Sequence, residues 1–463
     1  MWPLGVFLMY SAVVTGMPPP QDPVVLNVTV EETSDHLSIR YGGPEATASH
    51  DQKRIIDNEI EPTELWNTGE LFTDDPEPLD FHETNPLLTP YGRLVEGDLL
   101  RSPEEDRKGV TSAELWTDRR YNYEIINDAS RAAIEAGIKF WRDHSCVQFQ
   151  EVSSGSSEPR VLFVAESGCW SMLGCTAKHA SSRTQKLSLG SGCTGFGTVT
   201  HEIGHSLGFY HEQSRSDRDE HVVIMWDNVK EAYKHNFKKV DTTQNHGVPY
   251  DLGSVMHYGS TYFSSSGGPT ILTRNPTLQG LIGQRDRPSF RDVALMNRLY
   301  RCEELCSSPP PCHNGGYVSA DCVCHCPPGT SGSACETVRG SYYPAPSCGG
   351  EISSEGTVSS PGWPALYPTG ADCSWWVRPP TGRRARVTFT TFSIMQQVNG
   401  SCKYEYLSVR LGGVLDGGEM YCSKQLTGKQ LTSTSPDGDL VLRFKSYKKY
   451  FMGSGFVATV EFV

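Results

Sequence analysis

Three histidines and a glutamate crowd into the run His201-Glu202-Ile203-Gly204-His205-Ser206-Leu207-Gly208-Phe209-Tyr210-His211. On a helix, residues four apart project from one face, so His201 and His205 can offer two imidazoles to one cation. Gly208 reaches backbone conformations closed to other residues, so the helix is expected to stop there and the chain to turn sharply. That turn would return His211 to the same ion. Three protein ligands leave one position open for water, which a catalytic Zn2+ requires and a structural one lacks. Glu202 stands beside a ligand without being one. It is placed to act as general base on a zinc-bound water and to pass the proton to a leaving amine, which is peptide-bond hydrolysis. A helix with hydrogen-bonded surface histidines would explain His-Glu-x-x-His alone, but not Gly208 and His211 at their added spacing. Downstream comes Ser254-Val255-Met256-His257-Tyr258. Met256 can form a turn beneath the metal, and the Tyr258 phenol can be a weak ligand or a hydrogen-bond donor to developing charge.

These residues need a scaffold, and the chain between Trp116 and Cys302 is patterned to make one. Residues 121–125 alternate as a strand, 161–164 read as a buried strand and 186–189 as a shorter one. Residues 128–143 read as a helix with Ile134, Ile138 and Trp141 on one face. A second helix over 198–209 carries the histidines, and a third over 289–301 places Val293, Met296 and Tyr300 at helical spacing. Strands and helices grouped in this way predict an α+β layer arrangement. Seven cysteines then fall between Cys302 and Cys335, in a unit too small to fold without staples. From Cys348 onward, short alternating runs such as residues 385–389 and 440–444 predict an all-β sandwich.

A chain of 463 residues should divide into two to four units. Its net charge of −13, from 41 basic and 54 acidic residues, argues against a nucleic-acid partner. Much of the acidic excess lies in residues 59–83, which read as solvated chain. Residues 1–16 read as a secretory signal, an apolar run followed by Thr15 and Gly16. That run is too short to span a bilayer, and no other stretch is long enough. With 15 cysteines, the expected setting is oxidising, secreted and extracellular. Sequons at Asn27 and Asn399 fit this. Arg107-Lys108 reads equally as a processing point or a solvated loop.

After His211 the chain continues Glu212-Gln213-Ser214-Arg215-Ser216-Asp217-Arg218-Asp219. Together with residues 254–258, this resembles the astacin family of metzincin zinc metalloendopeptidases, and the order of units resembles nematode astacins. The resemblance implies a propeptide over 17–108, an α+β metzincin catalytic domain over 109–303, and an EGF-like module over 304–336. A linker over 337–347 and an all-β CUB sandwich over 348–463 complete it. One Zn2+ is implied on His201, His205 and His211, with Tyr258 as a further ligand in the resting enzyme that swings away to stabilise the oxyanion. Asp98, in Glu96-Gly97-Asp98, resembles the propeptide aspartate that occupies the water position on zinc and keeps the zymogen latent. Glu212 resembles the glutamate linked to the new N-terminus after activation. Trp116 resembles a tryptophan near that terminus, which puts it near residues 107–109. With Glu105 three positions before Lys108, the activator implied is trypsin-like rather than furin-like.

The same resemblance pairs Cys146 with Cys302, Cys169 with Cys193, Cys348 with Cys373, and Cys402 with Cys422. The EGF-like module would use Cys306, Cys312, Cys322, Cys324, Cys326 and Cys335, in a connectivity that spacing leaves open. Cys175 is left over: a buried thiol, a mixed disulfide, or a sign that one pairing differs. Glu405 and Tyr447 stand where calcium-binding CUB domains carry aspartates, so calcium is expected to be weak or absent. Of Trp375 and Trp376, a sandwich core should absorb at least one. The expected substrates are extracellular or matrix proteins, with the EGF-like and CUB units contacting substrate or matrix. Hatching, moulting or matrix processing follows by analogy. A binding protein that had lost catalysis would show a broken Glu202, histidine or Tyr258, and all are intact.

Overall fold

The computed structural model describes residues 85–86, 88–101, 114–126, 130–240, 245–395, 397, 400–402, 404–446 and 453–463. It also describes the backbone of a separate antiparallel hairpin, β1 (Asn27–Thr33) with β2 (His36–Gly42). Asn27 opens β1. The readings placed on residues 1–16, 59–83, 107–108, Asn399 and Tyr447 lie outside the described residues.

One mixed sheet organises the α+β unit. Its strands are β3 (Leu88–Thr89), β4 (Gly92–Val95), β5 (Leu99–Arg101), β6 (Arg120–Ile125), β7 (Gln148–Glu151), β8 (Arg160–Val164), β9 (Cys169–Ser171) and β10 (Thr184–Leu189), in the order β3-β4-β5-β9-β10-β8-β6-β7. β6, β7, β8 and β10 run parallel to their neighbours, and β9 runs antiparallel to β10. Parallel strands need both faces covered. Helices α1 (Arg131–Asp143) and α2 (Phe196–Ser206) pack on each other beside the sheet. The face of α1 carrying Ile134, Ile138 and Trp141 is buried, as the spacing predicts. Contact between the helices is close because Gly137 has no side chain: a Cβ there would lie 2.7 Å from Val199 Cγ1. Trp141 Nε1 also donates to the Thr200 carbonyl at 3.1 Å.

The segment upstream of this unit adds the three strands β3–β5 at the edge of the sheet. β5 joins β9 in parallel at Leu99↔Ser171. Leu94 and Leu100 bury their side chains against Trp170.

Beyond the sheet lie the short pair β11 (Val222–Ile224) and β12 (Ile271–Thr273), the 3-10 turn Pro276–Leu281, and α3 (Phe290–Leu299). α3 starts at Ser289, whose hydroxyl accepts from Asp292 N–H while the Asp292 carboxylate accepts from Ser289 N–H, a reciprocal cap on two orphan donors. Disulfides join Cys146 to Cys302 and Cys169 to Cys193. Cys175 is a buried free thiol, pushed up to about 11 by burial.

The cysteine module carries β13 (Tyr317–Val318), β14 (Cys324–His325), β15 (Thr330–Ser331) and β16 (Thr337–Val338) in two hairpins. Its bridges are Cys306–Cys322, Cys312–Cys324 and Cys326–Cys335. The module rests on α3 through Tyr317 against Phe290 and through Ser319 Oγ, which donates to Asn297 Oδ1 at 2.8 Å.

The sandwich comprises β17 (Gly349–Ile352), β18 (Gly356–Ser359), β19 (Asp372–Val377), β20 (Ala385–Ser393), β21 (Tyr406–Arg410), β22 (Glu419–Tyr421), β23 (Gln430–Thr432), β24 (Leu440–Lys445) and β25 (Gly455–Phe462). One sheet runs β17-β19-β24-β21-β22 and the other β18-β25-β20-β23. Alternate residues such as Trp375, Val387, Phe389, Leu442, Phe444 and Phe456 fill the space between them. Trp375 enters that core, whereas Trp376 is half-buried and donates from Nε1 to Asp439 at 2.8 Å. Cys348–Cys373 and Cys402–Cys422 staple this unit.

Among the described residues, no helix is long and apolar enough to cross a membrane.

The N-terminal turn of α2 packs directly on the Arg285 backbone. A Cβ on Gly197 would lie 1.7 Å from the Arg285 carbonyl oxygen, whereas one on Gly155 would meet nothing within 4 Å. Gly197→Ala should therefore cost about 1–3 kcal/mol or more and lower the melting temperature by several degrees. Gly155→Ala should stay within about 0.5 kcal/mol. Equal melting temperatures for the two variants would contradict this packing.

Candidate metal centre

α2 is buried from Gly197 to Ser206, where polar groups normally find partners. It ends at Ser206 rather than at Phe209, three residues earlier than the spacing suggests. Leu207 N–H is shared between the Ile203 and Gly204 carbonyls, and Gly208, at φ 112°, then takes the chain out of the helix. Phe209 N–H returns to the Gly204 carbonyl at 3.0 Å. The reversal brings His211 back beside the two helical histidines.

Each ring is held from behind. His201 Nδ1 donates to the Val255 carbonyl at 2.8 Å, and His205 Nδ1 donates to the Phe209 carbonyl at 2.7 Å. A carbonyl only accepts, so both Nδ1 atoms carry the proton and both Nε2 atoms present a bare lone pair. Those two Nε2 atoms lie 3.0 Å apart. His211 Nδ1 donates to Glu96 Oε2 at 2.9 Å, which turns its Nε2 to the same point. Burial holds the pKa of His201 well below its ordinary value, favouring the neutral ring that a metal needs.

Asp98 completes the cluster. It sits in the turn between β4 and β5, where Glu96 and Gly97 both take positive φ, and Ser171 N–H donates to its carbonyl at 2.9 Å. Its Oδ2 is 3.0 Å from His201 Nε2, and its Oδ1 is 3.2 Å from His211 Nε2 and 3.4 Å from His205 Nε2. Asp98, His201, His205 and His211 are all fully buried, with ligand atoms within 4.8 Å of one another. Bare nitrogen lone pairs facing one another at 3.0 Å repel, and a cation between them reverses the sign. Against burial, the charges of Asp98 and Glu96 push His211 up to about 9, holding a proton that a metal would displace. Three imidazoles and one carboxylate are the donor set of a zinc site.

Glu202 is also fully buried, and neither carboxylate oxygen has a hydrogen-bond partner among the described residues. Burial, reinforced by the charge of Asp98, raises its pKa well above that of an ordinary glutamate. Tyr258 is buried, its ring 4.7 Å from that of His211, and its hydroxyl donates to the Glu96 carbonyl at 2.5 Å. In this structure the phenol is thus engaged by the upstream segment. It is not among the groups that converge on the metal point, so the ligand role expected of it is not seen in this arrangement. Glu212 is buried, accepts from Arg215 Nη1 at 3.1 Å and Asp251 N–H at 2.7 Å, and burial pushes it up to about 8.

Met256 lies under Gly204, where a Cβ would come 3.2 Å from its Sδ. The turn that carries it is tied to α3, since Asp292 accepts from Ser254 Oγ at 2.6 Å and from Val255 N–H at 2.9 Å. Val255 is the residue whose carbonyl orients His201. Sequence reasoning missed this role of Asp292, although Ser289-x-x-Asp292 is a helix-start signature that would have located its backbone. It also missed the Glu96 contact to His211 and the buried Arg285, which donates to the His257 carbonyl at 3.0 Å and lowers the pKa of His201. No local pattern marks either one.

Asp292→Ala removes the acceptors of both Ser254 Oγ and Val255 N–H. It should weaken zinc binding by roughly 10-fold, towards the lower end of what losing an outer-shell partner costs. It should also cost about 1–3 kcal/mol of stability. Chelator competition and thermal melting read the two effects, and unchanged zinc affinity would separate Asp292 from the metal.

Residues 109–301 match Astacin (Peptidase family M12A), and residues 348–459 match the CUB domain. Protein SpAN of Strongylocentrotus purpuratus is 33% identical over 396 residues, covering 81% of this chain and 63% of its own length. Zinc metalloproteinase dpy-31 of Haemonchus contortus is 34% identical over 405 residues, covering 80% of this chain and 72% of its own. Among solved structures, High choriolytic enzyme 1, a hatching enzyme zinc-protease from Oryzias latipes, is 32% identical. It covers 44% of this chain and 100% of its own, with a TM-score of 0.37. The chain spans just under two thirds of the first curated relatives it matches, 63%, 64% and 66% of their lengths. With the family matched over the zinc-binding unit and a relative covered over most of its length, the chain belongs to the astacin family.

Proposed function

We propose that this chain is a secreted zinc endopeptidase made as a latent zymogen and acting on extracellular or matrix proteins. One observation carries the reading. Asp98, from the upstream segment, fills the point on which the three Nε2 atoms converge, next to a buried and unpartnered Glu202.

His201, His205 and His211 would hold the metal, and zinc when bound supplies Lewis-acid chemistry, acidifying water and polarising the scissile carbonyl. The residues of the chain do the rest. Glu202, with an elevated pKa and free carboxylate oxygens, takes the proton of the attacking water and hands it to the leaving amine. Tyr258, released from the Glu96 carbonyl, offers its hydroxyl to the developing oxyanion. Asp98 blocks both by holding the water position. Glu96 adds a contact on the back of His211.

Cleavage after Lys108 by a trypsin-like activator would remove the upstream segment and free the site, and Glu212 waits as a buried carboxylate for the new N-terminus. The seven disulfides and the sequons support secretion. The first-to-third, second-to-fourth, fifth-to-sixth bridge order supports an EGF-like reading of residues 304–336. That module and the CUB domain would bring the enzyme to substrate or matrix.

The test is cleavage of casein or denatured collagen by the secreted chain before and after trypsin. Activity should appear only after trypsin and vanish with a chelator. Glu202→Gln should lower kcat by roughly 10²–10⁴-fold without releasing zinc. Asp98→Asn, which lacks the charge that favours the cation, should show activity without trypsin. If Asp98→Asn stays fully silent until trypsin is added, the latch lies elsewhere. If Glu202→Gln keeps its rate, the general-base assignment is wrong.

A further inference from the structure

The outer face of a β-sandwich sheet is usually solvated, with polar residues alternating against the core. In the CUB domain a patch of outward positions on β19, β24 and β21 is buried. Ser374, Val441, Arg443, Ser408 and Arg410 are each at most 6% exposed, and Arg410 only 1%. The astacin domain meets this face at three places. Its 3-10 turn Pro276–Leu281 lies on β19 and β17, and a Cβ on Gly280 would come 3.4 Å from Asp372 Cγ. At the other edge, a Cβ on Gly417 would meet Asn228 Nδ2 at 3.6 Å and Met225 Cε at 3.9 Å.

At the centre of the contact, Arg443 is held by Asp372 in a two-point ion pair, Nε to Oδ1 at 2.8 Å and Nη2 to Oδ2 at 2.7 Å. Its remaining Nη1 reaches Ser260 Oγ in the astacin domain at 3.4 Å. Ser260 is two residues after Tyr258, and its carbonyl accepts from Thr270 N–H at 2.7 Å and Ile271 N–H at 3.2 Å. The Tyr258 ring belongs to a buried cluster with Phe237, Phe263, Ile271 and Ile282, against which Leu278 and Leu281 of the 3-10 turn and Tyr343 of the linker pack. The linker is itself docked. Tyr343 Oη accepts from Leu252 N–H at 2.9 Å, Tyr342 donates to Asp251 Oδ2 at 3.1 Å, and the Arg291 guanidinium lies 3.7 Å over the Tyr342 ring.

We propose that the CUB domain is a fixed buttress of the astacin domain, and that Arg443, oriented by Asp372, is a positioning residue for Tyr258 acting through Ser260. A guanidinium fork held at two points cannot drift, so its third contact fixes Ser260 and, through the packed cluster, the tyrosine before it. The kinetic part rests on Tyr258 serving as the oxyanion donor. The docking part does not.

The experiment uses the full chain, latent and trypsin-activated, with Arg443→Met, Arg443→Lys and the wedge Gly280→Leu, whose bulk offers the Asp372 carboxylate no partner and changes no sandwich residue. Hydrogen exchange is read across residues 258–271 in the latent chain. Steady-state kinetics on a peptide substrate are read after activation, alone and in a Tyr258→Phe background. Arg443→Met and Gly280→Leu should each speed exchange in that segment. Arg443→Met should lower kcat by about 10-fold, part of what losing an oxyanion donor costs, with KM within about twofold. Arg443→Lys should fall between it and the unaltered chain. In the Tyr258→Phe background, Arg443→Met should cost nothing further, because both changes act on one group. Unchanged exchange in both Arg443→Met and Gly280→Leu would overturn the docking. An equal loss of kcat in the Tyr258→Phe background would overturn the positioning role. A chain with no activity after activation would refute the enzyme reading, while exchange would still decide the docking.

Discussion

Everything around the site answers one constraint: buried imidazole lone pairs pointed at a single spot repel unless a cation sits there. His201 and His205 cannot relax by rotating, because the Val255 and Phe209 carbonyls hold their protonated nitrogens. The fold therefore stores the geometry in the backbone around the rings. Val255 belongs to a turn pinned by Asp292, Phe209 to the chain reversal at Gly208, and the helix beneath to a buried layer against α1. A metal bound there would stabilise the arrangement, which ties cofactor binding to folding.

The upstream segment meets the same constraint from the other side. A carboxylate suits the open position of a cationic site because its complementary charge offsets the cost of taking it out of water. Asp98 arrives on a turn whose two positive-φ residues, Glu96 and Gly97, let β4 and β5 meet in a point. The same turn occupies the Tyr258 hydroxyl and the back of His211. One hairpin tip thus engages a ligand, the open position and the phenol together.

What could be read from the sequence was what is local. The histidine spacing, the buried face of α1, the alternation of the sandwich strands and the start of α3 all depend on neighbours a few positions away. The end of α2 was misplaced by three residues because bonding at Leu207, not Gly208 alone, decides where the helix stops. Asp98 was reachable only through family resemblance, since an acidic turn has no local mark of where it will dock. The Glu96–His211, Asp292–Val255 and Arg443–Ser260 contacts join residues 115, 37 and 183 positions apart. No periodicity encodes such pairs; they exist only once the layers have assembled.

The parallel pairing of β5 with β9 bears on what a shortened chain could take in. With strands β3–β5 gone, β9 would be the rim of the sheet, its backbone donors and acceptors facing outward in a row. A visiting chain could match that row only by lying straight beside it. Selection would then begin with posture rather than with side chains: coiled or tightly packed segments would be turned away at the rim, and slack or already loosened stretches admitted.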